Sequence, residues 1–220
     1  MVELPKLLKK SNNIIVVDHH IKSKDYIKNS IINYINSNLS STVEFIVGYI
    51  KFLNRTVNPK IATFLLVGIE IDTNKYKLKT TEHTYESAAF LSKMGADNIL
   101  KQEILKESME EYLKKTKFIE KSYMVNDNMA LCVIETEILQ KQKLAQIAEE
   151  LLQFENVEAS FVVGKIGNNL VGISARSIGN VNVEKIMSIL GGGGHINEAA
   201  TQIESLSIKD VKDKLLEVIK

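Results

Sequence analysis

Cysteine and proline are both scarce in this sequence. Its 220 residues include one cysteine, Cys132, and two prolines. A single cysteine excludes a disulfide within the chain, which is typical of proteins kept in a reducing cytosol. Cys132 lies in the apolar run 129–134, and we expect it to be a buried small hydrophobe. With two prolines and 11 glycines, the composition leaves little room for long disordered segments.

The sequence also lacks an excess of charge of either sign and a long hydrophobic run. Its 28 basic and 27 acidic residues give a formal net charge of +1, so the bulk composition attracts neither duplex nucleic acid nor a membrane surface. No stretch is long enough to span a bilayer, and no signal peptide is recognisable. We therefore expect this chain to be cytoplasmic and any anionic ligand to be held by a local arrangement of groups.

Hydrophobic patterning predicts α/β architecture in the first half of the chain. Residues 14–17 are β-branched and are predicted to form a buried central strand. The polar run ending at Ser41 and Thr42 predicts a helix start, and Asn58 followed by Pro59 predicts another. These elements predict a first domain over residues 1–102.

The second half restarts the alternation of strands and helices after a charged helical segment. Residues 103–121 are predicted to be a helical linker whose charges form a solvated face. A turn is predicted at 167–169 between two strands, and helices are predicted near 183–190 and after Ser207. The second domain is therefore predicted to span residues 122–220, and both halves are expected to be α/β.

Asp18, His19 and His20 follow the first predicted strand directly. Ligands of open α/β sheets bind at the carboxyl ends of strands, and imidazole is a good ligand for a borderline divalent metal. The neighbouring carboxylate either binds the metal or fixes the imidazole tautomer. Asp72 follows an apolar helix and either joins a metal site or caps the next turn. The simpler alternative for the triplet is a set of polar residues that closes a strand.

Four consecutive glycines followed by a histidine form the sharpest local motif. Because glycine is entropically costly, a run of four indicates a backbone requirement. We expect a turn that opens onto a helix at 196–200 and presents N–H groups to an anion, with a flexible linker as the alternative. The motif is Gly191-Gly192-Gly193-Gly194-His195.

Ser174 and Arg176 lie at the end of another predicted strand. The planar guanidinium of arginine binds phosphate through two parallel hydrogen bonds, so Arg176 is a candidate phosphate clamp. An ordinary surface arginine is the alternative.

The order of these motifs resembles the DHH/DHHA1 phosphoesterase family over essentially the whole chain. Within that family the sequence is most similar to the GdpP-type cyclic-di-AMP phosphodiesterases. This resemblance implies a partial DHH domain with a parallel sheet, followed by a smaller DHHA1 domain with a mixed sheet. The stretches that carry it are 15–20, 40–44, 68–73, 95–97, 157–161, 172–177 and 191–202.

The resemblance also implies a role for each candidate residue. His19 and Asp72 would bind one of two Mn²⁺ ions, Asp18 would orient the site, and His20 would contact the scissile phosphate. The two ions would activate water to open cyclic-di-AMP to pApA, with the substrate in a cleft between the domains. The substrate-binding groups implied are Ser174, Arg176, Gly191, Gly192, Gly193, Gly194 and His195.

The family's first motif, His-x-x-x-Asp-x-Asp, has no counterpart around any of the four histidines. The chain is therefore predicted to be a C-terminal fragment, impaired in metal binding, of a parent protein anchored in a membrane through its N-terminal region. Two alternatives remain open: a nanoRNase or pAp phosphatase, and a non-catalytic nucleotide-binding module. The expected partner is a cyclic dinucleotide or short oligonucleotide, and an uncovered sheet edge would favour a homodimer.

Overall fold

The chain folds into two compact units, residues 1–106 and 107–220. Both units are α/β, which confirms the predicted fold class. None of the helices in the described part of the chain has both the length and the apolar character needed to cross a bilayer. The structure is a computed structural model, and it describes residues 8, 10–11, 13–20, 27 and 29–219.

The first unit pairs two parallel strands and then continues as helices. Ser41 caps the first helix, because its hydroxyl accepts from the Val43 N–H, and Asn58 caps the second in the same way ahead of Pro59. Both predicted helix starts are confirmed, and so is the parallel sheet. The elements are β1 (Ile15–Asp18), β2 (Ile32–Ile35), α1 (Thr42–Phe52), α2 (Pro59–Asp72), α3 (Glu82–Lys93) and α4 (Asn98–Ile104).

The prediction that the first strand is buried was wrong. Ile14 is buried just before β1, but the side chain of Ile15 is 60% exposed and the rest of β1 is half-buried. Among the described strands β1 has one partner, β2, so within the described sheet it lies at an edge and not between two strands. The core of this unit lies between helices instead, and it consists of Val43, Val47, Ala62, Leu66, Ile69 and Leu91.

The second unit is a six-stranded sheet with helices on both faces. Its strand order is β3-β4-β5-β6-β8-β7; β4 and β5 are parallel and the other pairs are antiparallel, which confirms the mixed sheet. The strands are β3 (Tyr123–Met124), β4 (Met129–Ile138), β5 (Ala159–Gly167), β6 (Leu170–Ser177), β7 (Gly193–His195) and β8 (Glu198–Glu204).

The helices of the second unit enclose two apolar clusters, one on each face of the sheet. One cluster lies beneath the helix of Ile147 and contains Cys132, which is fully buried as predicted. Burial also raises the pKa of the Cys132 thiol. The other cluster is centred on Phe161. The helices are α5 (Met109–Ile119), α6 (Lys141–Leu151), α7 (Val183–Ile189) and α8 (Ile208–Ile219).

The segment 103–121, predicted as a linker, contains the end of α4 and all of α5. Phe118 of α5 is 5% exposed and belongs to the cluster beneath α6. Lys115 lies 3.0 Å from a carboxylate oxygen of Glu107 and 3.0 Å from one of Glu150, which ties α5 to α6. These contacts make α5 part of the second unit's core.

The prediction of a helix at 196–200 after the glycine run was wrong, because Ile196 and Asn197 form a turn and strand β8 begins at Glu198. Its residues alternate in burial: Ala199 and Thr201 are each 3% exposed, whereas Ala200 between them is exposed. That period of two is the pattern of a strand with one covered face. Pairing with β6 along its whole length decides the conformation of this segment.

Candidate metal and nucleotide site

Asp18 ends strand β1, and His19 and His20 follow it at the carboxyl end of the sheet. The Asp18 carboxylate accepts hydrogen bonds from the His20 backbone N–H at 3.0 Å and pairs with the His20 ring Nδ1 at 2.7 Å. The rings of His19 and His20 are 4.3 Å apart between centroids. The His20 side chain is 74% exposed, so its ring remains accessible to a ligand.

His19 and Asp72 meet although they are far apart in the sequence. Nε2 of His19 lies 3.9 Å from Oδ2 of Asp72, and both side chains are partly buried. The start of α1 holds both of them: Thr42 contacts His19 Nδ1, and the Ser41 hydroxyl donates to Asp72 Oδ2 at 2.6 Å. The structure therefore brings together the two residues expected to bind one metal ion.

Burial and neighbouring charges shift two of these groups. Burial lowers the pKa of His19, and this effect outweighs the raising effect of the nearby Asp72 carboxylate. Partial burial raises the pKa of Asp18, but hydrogen bonds from the His20 backbone and ring outweigh it, so the Asp18 pKa lies below its ordinary value. Both shifts favour the forms that bind metals, neutral imidazole and carboxylate.

The donor set fits a divalent metal ion. Two ligands that each lie about 2.1 Å from one ion are at most about 4.2 Å apart. The separation of 3.9 Å between His19 Nε2 and Asp72 Oδ2 lies within that limit. Asp18, His19 and His20 also offer ligand atoms that all lie within 4.8 Å of one another. Imidazole and carboxylate together suit Mn²⁺, Fe²⁺ and Zn²⁺.

In the second unit, four of the predicted substrate residues lie in two adjacent rows across three strands. In one row, Arg176 on β6 is paired with Glu198 on β8, which is paired with His195 on β7. In the next row on the same face, Ser174 and Gly193 are both paired with Ala200. Directly paired residues, and residues two apart on one strand, place their side chains on the same face of a sheet, so the two rows form one surface.

Arg176 is held in place before any ligand binds. Its Nε donates to Glu149 of α6 at 3.3 Å, and its Nη1 donates to the Ala175 carbonyl at 3.0 Å and to the Ser174 hydroxyl at 3.4 Å. α6 packs on β5 and β6 on this side of the sheet. The guanidinium is therefore held against α6 through Glu149.

The glycine run ends one helix and allows a close approach of two strands. Gly191 has a φ of 80°, and the N–H groups of Gly191 and Gly192 donate to the Ser188 and Met187 carbonyls, which closes the end of α7. A Cβ on Gly192 would overlap the Ala200 carbonyl oxygen in β8. The run is therefore a helix end followed by an edge strand, and neither a flexible linker nor a helix start.

A second overlap sets Gly194 apart from its neighbour. A Cβ on Gly194 would overlap the Glu198 carbonyl oxygen, whereas one on Gly193 would meet no heavy atom within 4 Å. Packing thus explains Gly192 and Gly194 but not Gly193.

Sequence reasoning missed the residues that support these side chains. Ser41 and Thr42 were interpreted as helix caps alone, and nothing in the local sequence indicated their contacts with Asp72 and His19. Glu149 was also missed, because the sequence of an amphipathic helix does not indicate which residue a charged side chain will contact.

An imidazole–carboxylate cluster in one α/β unit is followed by an arginine- and glycine-bearing mixed sheet in a second, which defines a two-domain α/β architecture. The chain belongs to the DHH/DHHA1 family. Residues 2–69 match the DHH family, N-terminal domain, and residues 126–220 match the DHHA1 domain.

Particular relatives agree with the predicted subgroup. The chain is 37% identical to the cyclic-di-AMP phosphodiesterase GdpP of Geobacillus thermodenitrificans over 97% of its length, and it covers 33% of that protein. It is also 37% identical to the cyclic-di-AMP phosphodiesterase PdeA of Listeria monocytogenes over 100% of its length, and it covers 34% of that protein. The chain thus spans about a third of the length of these curated relatives.

A solved structure shares the fold. An exopolyphosphatase-related protein from Bacteroides fragilis superposes with a TM-score of 0.78 at 20% identity, over 93% of this chain and 63% of that chain.

Proposed function

We propose that this chain carries part of the active site of a metal-dependent phosphodiesterase that hydrolyses cyclic-di-AMP to pApA. The observation that supports this most directly is the convergence of His19 Nε2 and Asp72 Oδ2 at 3.9 Å, beside the hydrogen-bonded pair of Asp18 and His20. The substrate is inferred from the relatives named cyclic-di-AMP phosphodiesterases.

The first unit supplies the catalytic groups in this proposal. His19 and Asp72 would hold a divalent ion, for which we propose Mn²⁺, and the complete site would hold two such ions. When bound, such ions supply positive charge to the phosphoryl oxygens and acidify water. Asp18 fixes the ring of His20 through Nδ1, so the exposed ring, when protonated, presents its Nε2 proton to an oxygen of the scissile phosphate.

The bond changes in this reaction balance without any further reactant. The oxygen of one water forms a bond to phosphorus, and the bond from phosphorus to one ribose 3′ oxygen breaks. The 3′ oxygen takes up a proton, the water loses one to solvent, and the product carries a 5′-phosphate at one end.

The second unit supplies the nucleotide contacts. Arg176 and His195 offer charged or hydrogen-bonding groups to a phosphate, Ser174 offers a hydroxyl, and the backbone at Gly193 allows close approach. We also propose that Gly191, Gly192 and Gly194 act indirectly, by shaping the edge strand that carries Gly193 and His195. Self-association of the chain stays a prediction.

The test combines a metal titration with a substrate assay. Mn²⁺ binding is followed by electron paramagnetic resonance, and the products from cyclic-di-AMP, pApA and a short RNA are separated by chromatography. In the complete protein, of which this chain carries part of the site, we expect Mn²⁺ binding and release of pApA from cyclic-di-AMP. Replacing Asp72 with Asn is expected to weaken Mn²⁺ binding by more than the roughly 10- to 100-fold typical of losing an outer partner. Asp213→Asn, a change at a half-exposed carboxylate of α8, serves as the matched control.

Three other results would contradict parts of this proposal. Mn²⁺ binding that is unchanged by Asp72→Asn would contradict the metal assignment. Cleavage of RNA or pApA in place of cyclic-di-AMP would show a nanoRNase-type activity instead. Calorimetric binding of cyclic-di-AMP with no turnover, weakened by Arg176→Ala, would identify a nucleotide-binding module.

A further inference from the structure

Thr42 directs two polar groups at the same ring nitrogen of His19. Its hydroxyl Oγ1 lies 3.0 Å from Nδ1, and its backbone N–H donates to Nδ1 over 3.2 Å. Thr42 is the first residue of α1, so this N–H is one of the donors that a helix leaves without an intrahelical acceptor. The His19 ring thus helps to satisfy the N-terminus of α1.

This contact fixes the position of the ring proton in the metal-free chain. Neutral imidazole donates from one nitrogen and accepts at the other. Since the Thr42 N–H donates to Nδ1, the proton of neutral His19 lies on Nε2, the nitrogen 3.9 Å from Asp72 Oδ2. Nε2 cannot bind a metal ion while it carries that proton, so metal binding requires the other tautomer.

The hydroxyl of Thr42 can hydrogen-bond to Nδ1 in both tautomers of His19, whereas the backbone N–H can do so only when Nδ1 carries no proton. A hydroxyl donates to unprotonated Nδ1 or, after rotation about its C–O bond, accepts from Nδ1–H. We infer that Thr42 Oγ1 is a positioning group that accepts the Nδ1 proton of His19 when a divalent ion binds Nε2. The exchange of tautomers leaves the ring neutral throughout. This inference rests on the proposed function only in taking His19 as a metal ligand.

Two substitutions at position 42 separate the hydroxyl from the rest of the residue. Thr42→Val keeps the shape and the backbone N–H but removes the hydroxyl, and Thr42→Ser keeps the hydroxyl. In the Val variant, Nδ1–H would face the backbone N–H with no acceptor beside it. We therefore expect Thr42→Val to weaken metal binding by about 10- to 100-fold, as losing an outer hydrogen-bond partner typically does, and Thr42→Ser to bind like the unchanged chain.

The tautomer is read directly by NMR on chain labelled with ¹⁵N-histidine. Long-range ¹H–¹⁵N correlations distinguish Nδ1–H from Nε2–H, and a spectrum of His19→Gln assigns the signal. Zn²⁺ serves as a diamagnetic probe, and its affinity is measured by calorimetry. We expect Nε2–H in the metal-free chain and in both Thr42 variants, and conversion to Nδ1–H when Zn²⁺ saturates the unchanged chain and Thr42→Ser.

The outcomes separate this inference from the proposed function. Equal Zn²⁺ affinity for the unchanged chain and for Thr42→Val would overturn the role of Thr42 and leave the metal site standing. Nδ1–H in the metal-free chain would overturn the tautomer exchange alone, whereas Nε2–H at Zn²⁺ saturation would also remove His19 Nε2 as a metal ligand. A His19 signal that Zn²⁺ does not change in any form would overturn both proposals. Thermal unfolding by circular dichroism verifies that each variant is folded.

Discussion

Ser41 serves two partners with one hydroxyl. Its oxygen accepts from the Val43 N–H at 3.2 Å, which caps α1, and its proton is donated to Asp72 Oδ2 at 2.6 Å. Because a carboxylate oxygen accepts hydrogen bonds and does not donate them, the single Oγ proton of Ser41 goes to Asp72. The cap of a helix thereby also orients a proposed metal ligand.

Ser41→Ala is expected to lose both a helix cap and the hydrogen bond to Asp72, whereas Ser108→Ala is expected to lose only a helix cap. Ser108 caps α5 by accepting from the Glu111 N–H and gives a matched control for the loss of a cap. Each change is expected to lower the free energy of unfolding by about 1 kcal/mol. Only Ser41→Ala is expected to weaken Mn²⁺ binding, by about 10-fold, in a titration followed by electron paramagnetic resonance. Equal metal affinities in the two variants would show that Asp72 needs no support from Ser41.

At the residue scale, the sequence indicated candidate ligands but not the residues that contact them. Asp18, His19 and Asp72 were identified because few residue types bind metals. Ser41 and Thr42 were identified only as helix caps, because capping depends on neighbours two or three residues away. The hydrogen bond from Ser41 to Asp72 spans 31 positions, and no local pattern records a contact at that distance.

Gly193 and Gly194, which are consecutive on β7, have different surroundings where β7 pairs with β8. Gly194 faces the Glu198 carbonyl oxygen too closely for a Cβ, whereas Gly193 has open space on its side-chain face. Gly193 also shares its row with Ser174, through Ala200 between them. We therefore expect stability and nucleotide binding to depend on different members of the run.

Alanine substitutions at these two positions are expected to give opposite results. Gly194→Ala should lower the free energy of unfolding, measured by urea denaturation, by about 1 to 3 kcal/mol, the usual cost of overpacking. Gly193→Ala should leave stability within about 0.5 kcal/mol, the range of ordinary surface changes, but weaken cyclic-di-AMP binding measured by calorimetry. Unchanged binding by Gly193→Ala would remove this strand from the nucleotide site.

At the element scale, local signals predicted helix starts well and predicted the glycine run poorly. Ser41 and Asn58 mark caps through contacts within two residues, and both helices begin there. The segment 196–200 was interpreted as a helix because glycines often precede one. Its alternating burial arises from pairing with β6, whose residues lie more than 20 positions earlier, so the decisive contacts are non-local. The exposure of β1 likewise depends on which neighbours it has.

At the scale of the whole molecule, each unit has apolar clusters of its own. The cluster beneath α6 includes Phe118 from α5, and Lys115 of the same helix is paired with Glu107 and Glu150. These hydrogen bonds raise the pKa of Lys115 despite its partial burial, which lowers it. α5 therefore contributes to the second unit both an apolar side chain and a buried cation with its partners.

The fragment 107–220 is accordingly expected to fold on its own, and the fragment 122–220 to be markedly less stable. Removing α5 exposes the surface that Phe118 covers and leaves Glu150 without the Lys115 ammonium. Loss of a buried phenylalanine side chain alone typically costs about 3 to 5 kcal/mol. Urea denaturation followed by circular dichroism compares the two fragments, and equal midpoints would show that α5 is a linker and not part of the core.

Two single substitutions in the full chain test the same claim without truncation. Phe118→Ala should lower the free energy of unfolding of the second unit by about 3 kcal/mol, because its side chain is 5% exposed within the cluster. Leu113→Ala, on the same helix but 51% exposed, should change it by less than about 0.5 kcal/mol. A linker helix would give two small and similar effects, since neither side chain would then pack against α6. A large effect of Phe118 alone places the start of the second folding unit ahead of α5.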